Sequence, residues 1–333
     1  MALEIGTTLT GGETISDINT AFDTSSNDFQ QIYYCRGRNI TFENVTIDCN
    51  PNGNSFPSYG IQLAPGAEVS LINCNISNAS STALYSTSAD VYAKNSTFNN
   101  CGITGLGTGT GGCYTVLVNC QANDNMIAGF SLWRGEAHLS NCSAANNYYH
   151  GMVVAWGSGY FDNCTTGNNG DDSLPTNYGY GIVYTYGGEV GRVKNCTSIG
   201  NLSGGFAVDI ERPNDGTYFP VDISFDDCRI LEHSNFGAYG GVGIWVNHVA
   251  AGLNVERCLI QNCHRIGISC VGGNSIFHRN IIDTSNVGIA FYEGEGDIIG
   301  GNIAERNSFI SCNTDFVDQQ TLWNKTEVSN WAR

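Results

Sequence analysis

Residues 195–209 read NCTSIGNLSGGFAVD, and this stretch contains the two patterns that decide the fold. The first pattern is Asn195-Cys196, an asparagine directly before a cysteine. The second is Gly205-Phe206-Ala207-Val208, a glycine followed by apolar residues. Alternation with a period of two predicts a short strand whose second and fourth residues face inward and whose third and fifth residues face outward.

The cysteine pattern recurs along the chain at Cys74, Cys120, Cys142, Cys164, Cys196, Cys228 and Cys258. After Cys120 the intervals are 22, 22, 32, 32 and 30 residues, so the unit is about 22 residues with insertions in three consecutive copies. Ser96 and Asn280 occupy the same position in two further copies. A repeat of this length is typical of a solenoid, in which each unit buries its apolar face against its neighbours.

The glycine pattern recurs in the same order and defines one strand in each unit. Its other copies begin at Gly60, Gly129, Gly151, Gly181, Gly243, Gly267 and Gly288. The chain also has 42 Gly and 38 Asn, two residues that tolerate the positive φ of tight corners. Short strands joined by Gly and Asn corners, without helical periodicity, indicate parallel strands stacked about 4.8 Å apart.

The fourteen cysteines fit this scaffold as core residues. Apolar residues three before and two after each repeat cysteine place its side chain inward, so we interpret the ladder as buried thiols that act as small hydrophobic groups. A few disulfide bridges, involving Cys101, Cys113, Cys263 or Cys312, remain the alternative. No metal site is predicted, because the chain has no Cys-x-x-Cys pair.

With this repeat, the sequence resembles the right-handed parallel β-helix proteins of pectate-lyase-like architecture over about residues 30–312. The resemblance implies an all-β fold, a single-stranded right-handed parallel β-helix solenoid of about 10–11 coils. We expect residues 1–30 to form an N-terminal segment with a short capping helix at Ser16–Phe22. Residues 31–312 would form the β-helix, and residues 313–333 a C-terminal cap.

Composition excludes several functional classes. The net charge of −17 disfavours nucleic acid, whose phosphates an acidic surface repels. The chain contains no run of eighteen apolar residues, so no membrane span is predicted. An apolar content of 41% argues against disorder. We expect an extracellular protein or one on a virion or cell surface, without a signal peptide in this chain, and we leave homo-oligomer formation open.

Residues that depart from the repeat gather on the outward positions of the glycine-pattern strands. Exposed aromatic rings on such a strip predict a platform for sugar rings. The binding candidates are Trp133, Arg134, His150, Trp156, Asp172, Tyr186, Trp245, Asn247, Tyr292 and Glu293. Three insertions, at residues 170–177, 212–220 and 235–239, are expected to flank the strip as the walls of a groove.

The densest catalytic candidate is the segment Asp209-Ile210-Glu211-Arg212, with His248 one coil further on. We expect Asp209 to lie beside Thr185 and Asn247 on neighbouring strands. Two carboxylates would suit glycoside hydrolysis, whereas a base and a cation would suit elimination at a uronate. The signature series of polygalacturonases is not present in order, so that mechanism does not carry over.

These patterns favour a polysaccharide or oligosaccharide as the partner. The preferred hypothesis is a glycan lyase or glycoside hydrolase. The alternatives are a noncatalytic tail-spike-like or adhesin-like glycan binder and a structural solenoid that forms fibres. No cofactor is predicted, although carboxylates such as Asp171, Asp172 and Asp215 would suit Ca²⁺.

Overall fold

A computed structural model of the 333-residue chain describes residues 31–49, 58–109, 111–171, 179–186, 190–209, 221–233, 240–247, 251–271, 274–292 and 302–318. It also describes the backbone of strands at 2–3, 8–10, 14–15 and 327–332; for Asp209 and Ala251 the backbone alone is described. The chain divides into two compact units, Met1–Tyr148 and Tyr149–Arg333. None of the described residues forms a helix that is long and apolar enough to cross a membrane.

Three parallel sheets, called A, B and C, run through the first unit. Each coil contributes one strand to each sheet, except that the coil with Thr104–Thr108 joins sheet C only through a bridge at Gln121. Sheet A contains Ala2–Leu3, Gln31–Cys35, Tyr59–Leu63, Thr82–Ser86, Thr104–Thr108 and Ala128–Trp133. Sheet B contains Thr8–Thr10, Ile40–Glu43, Glu68–Ile72, Asp90–Lys94, Cys113–Val118 and Gly135–Ser140. Sheet C contains Thr14–Ile15, Thr46–Asp48, Asn75–Ser77, Thr97–Asn99 and Ser143–Ala145.

The second unit repeats the same three-sheet coil. Its sheet A contains His150–Ala155, Tyr180–Thr185, Gly204–Asp209, Val242–Asn247, Ile266–Val271, Val287–Tyr292 and Thr314–Asp318. Sheet B contains Ser158–Asp162, Val190–Lys194, Val221–Asp226, Ala251–Glu256 and Ile276–His278. Sheet C contains Thr165–Gly167, Thr197–Ile199, Arg229–Leu231, Leu259–Gln261 and Ile281–Asp283. Ile303–Ile310 pairs with the last strands of both B and C, and Glu327–Ala332 pairs with it in turn.

Neighbouring coils pair in register, so equivalent residues stack on one another. In sheet A of the second unit, the inward column runs Ile182, Phe206, Ile244, Ile268 and Ile289. All five side chains are fully buried. The alternation predicted for the glycine-pattern strands is therefore confirmed on the inward side, where each coil buries its apolar residues against the next.

The cysteine ladder forms part of this core. All fourteen cysteines are free thiols, and thirteen of them are buried. In the second unit, the Cys228 thiol donates a hydrogen bond of 3.3 Å to the carbonyl of Asp226. At the equivalent position of the first unit, the Ser96 hydroxyl donates to the Lys94 carbonyl at 3.0 Å. The prediction of buried thiols is confirmed, and none of the alternative bridges forms.

The residue before each ladder position turns the corner with a positive φ. Asn73, Asn95 and Asn119 have φ values of 54°, 51° and 54°. Their exposed amides stack, because Asn95 donates to Asn73 at 3.0 Å and Asn119 donates to Asn95 at 3.1 Å. Asparagine tolerates this conformation and adds the side-chain ladder, which explains why it is so frequent before the cysteines.

At the N-terminus, Thr14–Ile15 pairs with Thr46–Ile47 as a short strand. The capping helix predicted at Ser16–Phe22 lies outside the described residues. Near the other end, Thr314–Asp318 pairs in parallel with Val287–Phe291, so coil pairing continues past residue 312.

Candidate functional site

In the second unit, the last residues of six sheet A strands form one column, which we call the terminal ladder. It consists of Ala155, Thr185, Asp209, Asn247, Val271 and Tyr292. Asp209 pairs with Thr185 on one side and with Asn247 on the other. The predicted register around Asp209 is therefore confirmed for the backbone, and these residues lie about 4.8 Å from their neighbours along the column.

Two aromatic residues directly follow the first two strands of this ladder. The rings of Trp156 and Tyr186 stack with centroids 4.5 Å apart and planes inclined by 30°. Both side chains are half-buried, so part of the pair faces solvent. The Trp156 amide donates to the carbonyl of Thr185 at 3.3 Å, which ties the two corners together.

The backbone conformation at both corners is unusual for bulky residues. Trp156 has a φ of 51° and Tyr186 a φ of 76°. Outside glycine, this left-handed region costs about 1–2 kcal/mol per residue. The same conformation turns the other corners of the coil, where asparagine is the most frequent residue. Here it turns both rings to the same side of the corner, so that they stack.

A second column on the outward face of sheet A departs from the expected open platform. Trp245 pairs with Ala207 and Ser269 in this column, yet it is only 8% exposed. The expectation of an exposed Trp245 ring is wrong, because the indole packs against Tyr180 with centroids 5.8 Å apart and planes 16° apart. Ala207 is also fully buried, so both faces of the sheet are covered here.

Gly204 makes the contact between Tyr180 and Trp245 possible. It pairs with Tyr180 in the strand that separates the two aromatic residues. A β-carbon at Gly204 would lie 2.8 Å from Cε1 of Tyr180 and 2.2 Å from the carbonyl oxygen of Val242. Because Gly204 has no side chain, the Tyr180 ring can lie over it and pack against Trp245.

His150 begins the first strand of the second unit. Its Nδ1 accepts a hydrogen bond of 3.2 Å from the amide of Tyr180, and its ring stacks on the Tyr180 ring at 6.2 Å. Burial lowers the pKa of His150 to about 4. The imidazole is therefore neutral near pH 7, which makes it a hydrogen-bonding group and not a fixed cation.

Trp133 and Arg134 belong to the first unit. The Trp133 indole donates to the Ser131 hydroxyl at 2.9 Å, and its backbone amide donates to the Thr108 hydroxyl at 2.6 Å. Arg134 is exposed and has a φ of 47°. Its carbonyl accepts a hydrogen bond from the Cys113 amide at 3.1 Å. Arg134 thus occupies the corner after its strand, as Trp156 and Tyr186 do in the second unit.

The remaining candidates divide between described and undescribed positions. Asn247 is exposed and Tyr292 is half-buried. The candidates Asp172, Glu211, Arg212, His248 and Glu293 lie outside the described residues, as do most of the three insertions, and only the backbone of Asp209 is described. Among the residues whose side chains are described, no group of three His, Cys, Asp or Glu side chains is arranged to hold a metal ion.

Sequence analysis missed Tyr180 as the support of the outward aromatic residues. A signal was present, because Tyr59 precedes Gly60 as Tyr180 precedes Gly181. In the first unit, Tyr59 stacks on Tyr85 with centroids 5.1 Å apart and planes 14° apart. An aromatic residue directly before the glycine pattern therefore predicts a stack on an outward aromatic residue of a later strand.

Comparison with known proteins agrees with this architecture. The family model of the right-handed β-helix region matches residues 6–140, which is less than half of the chain. No curated protein sequence matches significantly. The chain is therefore an all-β protein that folds as a parallel β-helix.

Among solved structures, the catalytic domain of a GH87 alpha-1,3-glucanase variant in complex with nigerose is similar at a TM-score of 0.52 and 13% identity. That match covers 91% of this chain and 57% of the glucanase chain. Pectate lyase Pel9A matches at a TM-score of 0.45 and 15% identity, over 75% of this chain and 68% of its own. PfbA, a surface adhesin of Streptococcus pneumoniae, matches at 0.34 and 11%, over 90% and 62%. At these identities the similarity concerns the fold, and this chain spans little more than half of the glucanase chain.

Proposed function

We propose that this protein binds a polysaccharide along the terminal ladder of its second unit and cleaves it there. The observation that carries the proposal is the stacked pair of Trp156 and Tyr186, held half-exposed at the start of the ladder. Sugar rings present C–H faces that pack on such aromatic rings. A polymer lying across the strands would then pass from the aromatic pair to Asp209 and Asn247.

The proposal also includes cleavage of the bound polysaccharide. Asp209 belongs to the ladder, and Glu211 and Arg212 lie two and three residues after it in sequence. An acid and a base or nucleophile would suit hydrolysis, and a base with a cation would suit elimination. We also propose an extracellular or surface location, where a protein would meet structural and capsular polysaccharides.

Noncatalytic glycan binding is the second candidate function. One observation favours it: Asp209 is the sole carboxylate in the six sheet A strands from His150–Ala155 to Val287–Tyr292. Hydrolysis by the usual route needs two carboxylates. A binder without cleavage, as in an adhesin, needs only the aromatic pair and hydrogen-bonding groups.

The experiment that separates the two candidates uses a polysaccharide panel with three protein variants. Incubation is followed by assays for new reducing ends and for the ultraviolet absorbance of an unsaturated product. Cleavage that is lost in Asp209→Asn while binding remains supports the enzyme. Binding without any product supports the adhesin-like candidate. Binding that is unchanged in Trp156→Ala and Tyr186→Ala contradicts the proposed site.

A further inference from the structure

The sheet A strands of the second unit contain no lysine or arginine. The six strands that form the terminal ladder read HGMVVA, YGIVYT, GGFAVD, VGIWVN, IGISCV and VGIAFY. Their single charged residue is Asp209, and the one histidine, His150, is neutral near pH 7 because burial lowers its pKa. Thr185, Asn247 and Tyr292 supply the other polar groups of the ladder, and all three are uncharged.

The described cations of the second unit lie on other surfaces. Arg192 of sheet B is paired with Asp226 at 3.1 Å, and Arg257 at a corner is paired with Asp227 at 2.7 Å. The others on sheets B and C and their corners are Lys194, Arg229, Arg279 and Arg306. All six of these residues lie on sheet B, on sheet C or at their corners, and none belongs to the terminal ladder.

Within the second unit, Arg265 is the described cation nearest in sequence to a sheet A strand. It directly precedes Ile266, at the beginning of a strand that reaches the terminal ladder only at Val271. A strand rises about 3.3 Å per residue, so about 20 Å of backbone separates Arg265 from the ladder. That distance exceeds the Debye length at physiological salt, which is about 8 Å.

The segments that directly follow the ladder strands are acidic in sequence. Residues 186–189, 210–220, 248–250 and 293–301 together contain six carboxylates and one arginine, Arg212. The whole chain has a net charge of −17. Within the six described strands, a polymer that follows the terminal ladder therefore meets Asp209 as the one charged residue and otherwise uncharged hydrogen-bonding groups.

We infer that the polymer bound along the terminal ladder is an uncharged glycan and not a polyuronate. This inference rests on the proposed function and narrows its substrate class. A polyuronate carries one carboxylate per sugar, and protein sites that hold carboxylates normally supply arginine or lysine to pair with them. Neutral sugars need instead an aromatic face and groups that both donate and accept hydrogen bonds, as the Trp156–Tyr186 pair and the exposed Asn247 supply.

The test uses matched polymers. Each neutral polysaccharide of a panel (glucans, mannan and galactan with free C6 hydroxyls) is compared with its counterpart oxidised at the C6 hydroxyl to a carboxylate. Binding is measured by calorimetry or affinity electrophoresis at low ionic strength and near 1 M salt, with EDTA and with Ca²⁺. We expect the neutral polymer to bind at least about tenfold more tightly at low salt and the difference to shrink at high salt.

The outcomes separate the inference from the proposed function. A carboxylated polymer that binds as tightly as the neutral one, in EDTA or in Ca²⁺, overturns the inference and leaves the proposed function standing. A difference that salt does not reduce overturns the electrostatic reason, because it would report a lost hydroxyl contact. Failure of every polymer to bind removes the proposed function itself. Asp209→Asn provides the charge variant, and it is expected to narrow the gap between the two polymers.

Discussion

Trp156 and Tyr186 face each other across neighbouring coils, with ring centroids 4.5 Å apart and a left-handed backbone at both positions. Their strands end in Ala155 and Thr185, which pair in the terminal ladder next to Asp209. The stack therefore lies at the beginning of the polar part of the ladder, and it provides the most direct tests of the proposed site.

The first prediction separates binding from stability at Trp156. Either Trp156→Ala or Trp156→Gly removes half of the stack and should weaken glycan binding by about tenfold or more. The two variants should differ in stability, because glycine adopts the positive φ without the cost of about 1 kcal/mol that alanine meets. Urea denaturation and affinity electrophoresis measure the two effects.

The control for this prediction is Tyr92→Ala. Tyr92 is 38% exposed on sheet B of the first unit and is not part of the terminal ladder. Its loss should leave glycan binding unchanged. Equal loss of binding in Tyr92→Ala and Trp156→Ala would contradict a site at the aromatic pair.

The second prediction concerns the space that Gly204 leaves for Tyr180. Gly204→Ala places a β-carbon 2.8 Å from the Tyr180 ring and 2.2 Å from the Val242 carbonyl. The free energy of unfolding should fall by about 1–3 kcal/mol, because both the Val242 backbone and the Tyr180 ring must move away from the added β-carbon. Near-ultraviolet circular dichroism of the tryptophans should change with it.

Gly107→Ala in sheet A of the first unit is the matched control. There the nearest atom to an added β-carbon is Cγ2 of Thr82 at 3.5 Å, an ordinary contact. This variant should be neutral or more stable by up to about 1 kcal/mol, since alanine restricts the unfolded chain. Similar destabilisation at both glycines would argue against close packing as the cause at Gly204.

The third prediction counts reactive thiols. Burial raises the pKa of Cys263 and of Cys270 to about 12, so neither forms a thiolate near neutral pH. A disulfide reagent should react in the folded protein with Cys312 at most, since the other thirteen cysteines are buried. In denaturant without a reductant, all fourteen should react. Fewer than fourteen would reveal a bridge, and many fast thiols in the folded protein would contradict the buried ladder.

The fourth prediction is a pH dependence of stability from His233. This side chain is fully buried, its Nδ1 lies 3.1 Å from the Asn201 carbonyl, and burial lowers its pKa to about 4. Between about pH 6.5 and pH 4, this histidine is protonated in the unfolded chain, where its pKa is about 6.5, but stays neutral in the folded chain. The contribution of His233 to the free energy of unfolding is therefore fully present above about pH 6.5. About 3 kcal/mol of it is lost as the pH falls to about 4.

His233→Gln should remove this part of the pH profile when unfolding free energies are compared between about pH 7.5 and 4.5. His264, which is exposed, supplies the control variant His264→Asn. That variant should keep the profile of the parent protein. A profile that is the same in all three proteins would mean that His233 does not titrate as its burial requires.

Much of the scaffold followed from the sequence because neighbouring coils repeat the same chemistry. Cysteines at a regular interval predicted the inward ladder, and asparagines before them predicted the corners that the φ values confirm. The same register predicted Asp209 between Thr185 and Asn247. Each of these features depends on residues at equivalent positions of the repeat, and the sequence alone shows their spacing.

What the sequence by itself determined is therefore the coil, its inward ladders and which residues share a column. Only the tertiary structure decided which outward residues remain accessible. Trp245 and Trp156 both belong to the outward side by sequence, yet Tyr180 reaches across Gly204 to cover Trp245. Trp156 is turned by its positive φ onto Tyr186 and stays half-exposed. Strand alternation specifies the face of the sheet on which a side chain lies, whereas its exposure depends on rings two coils away.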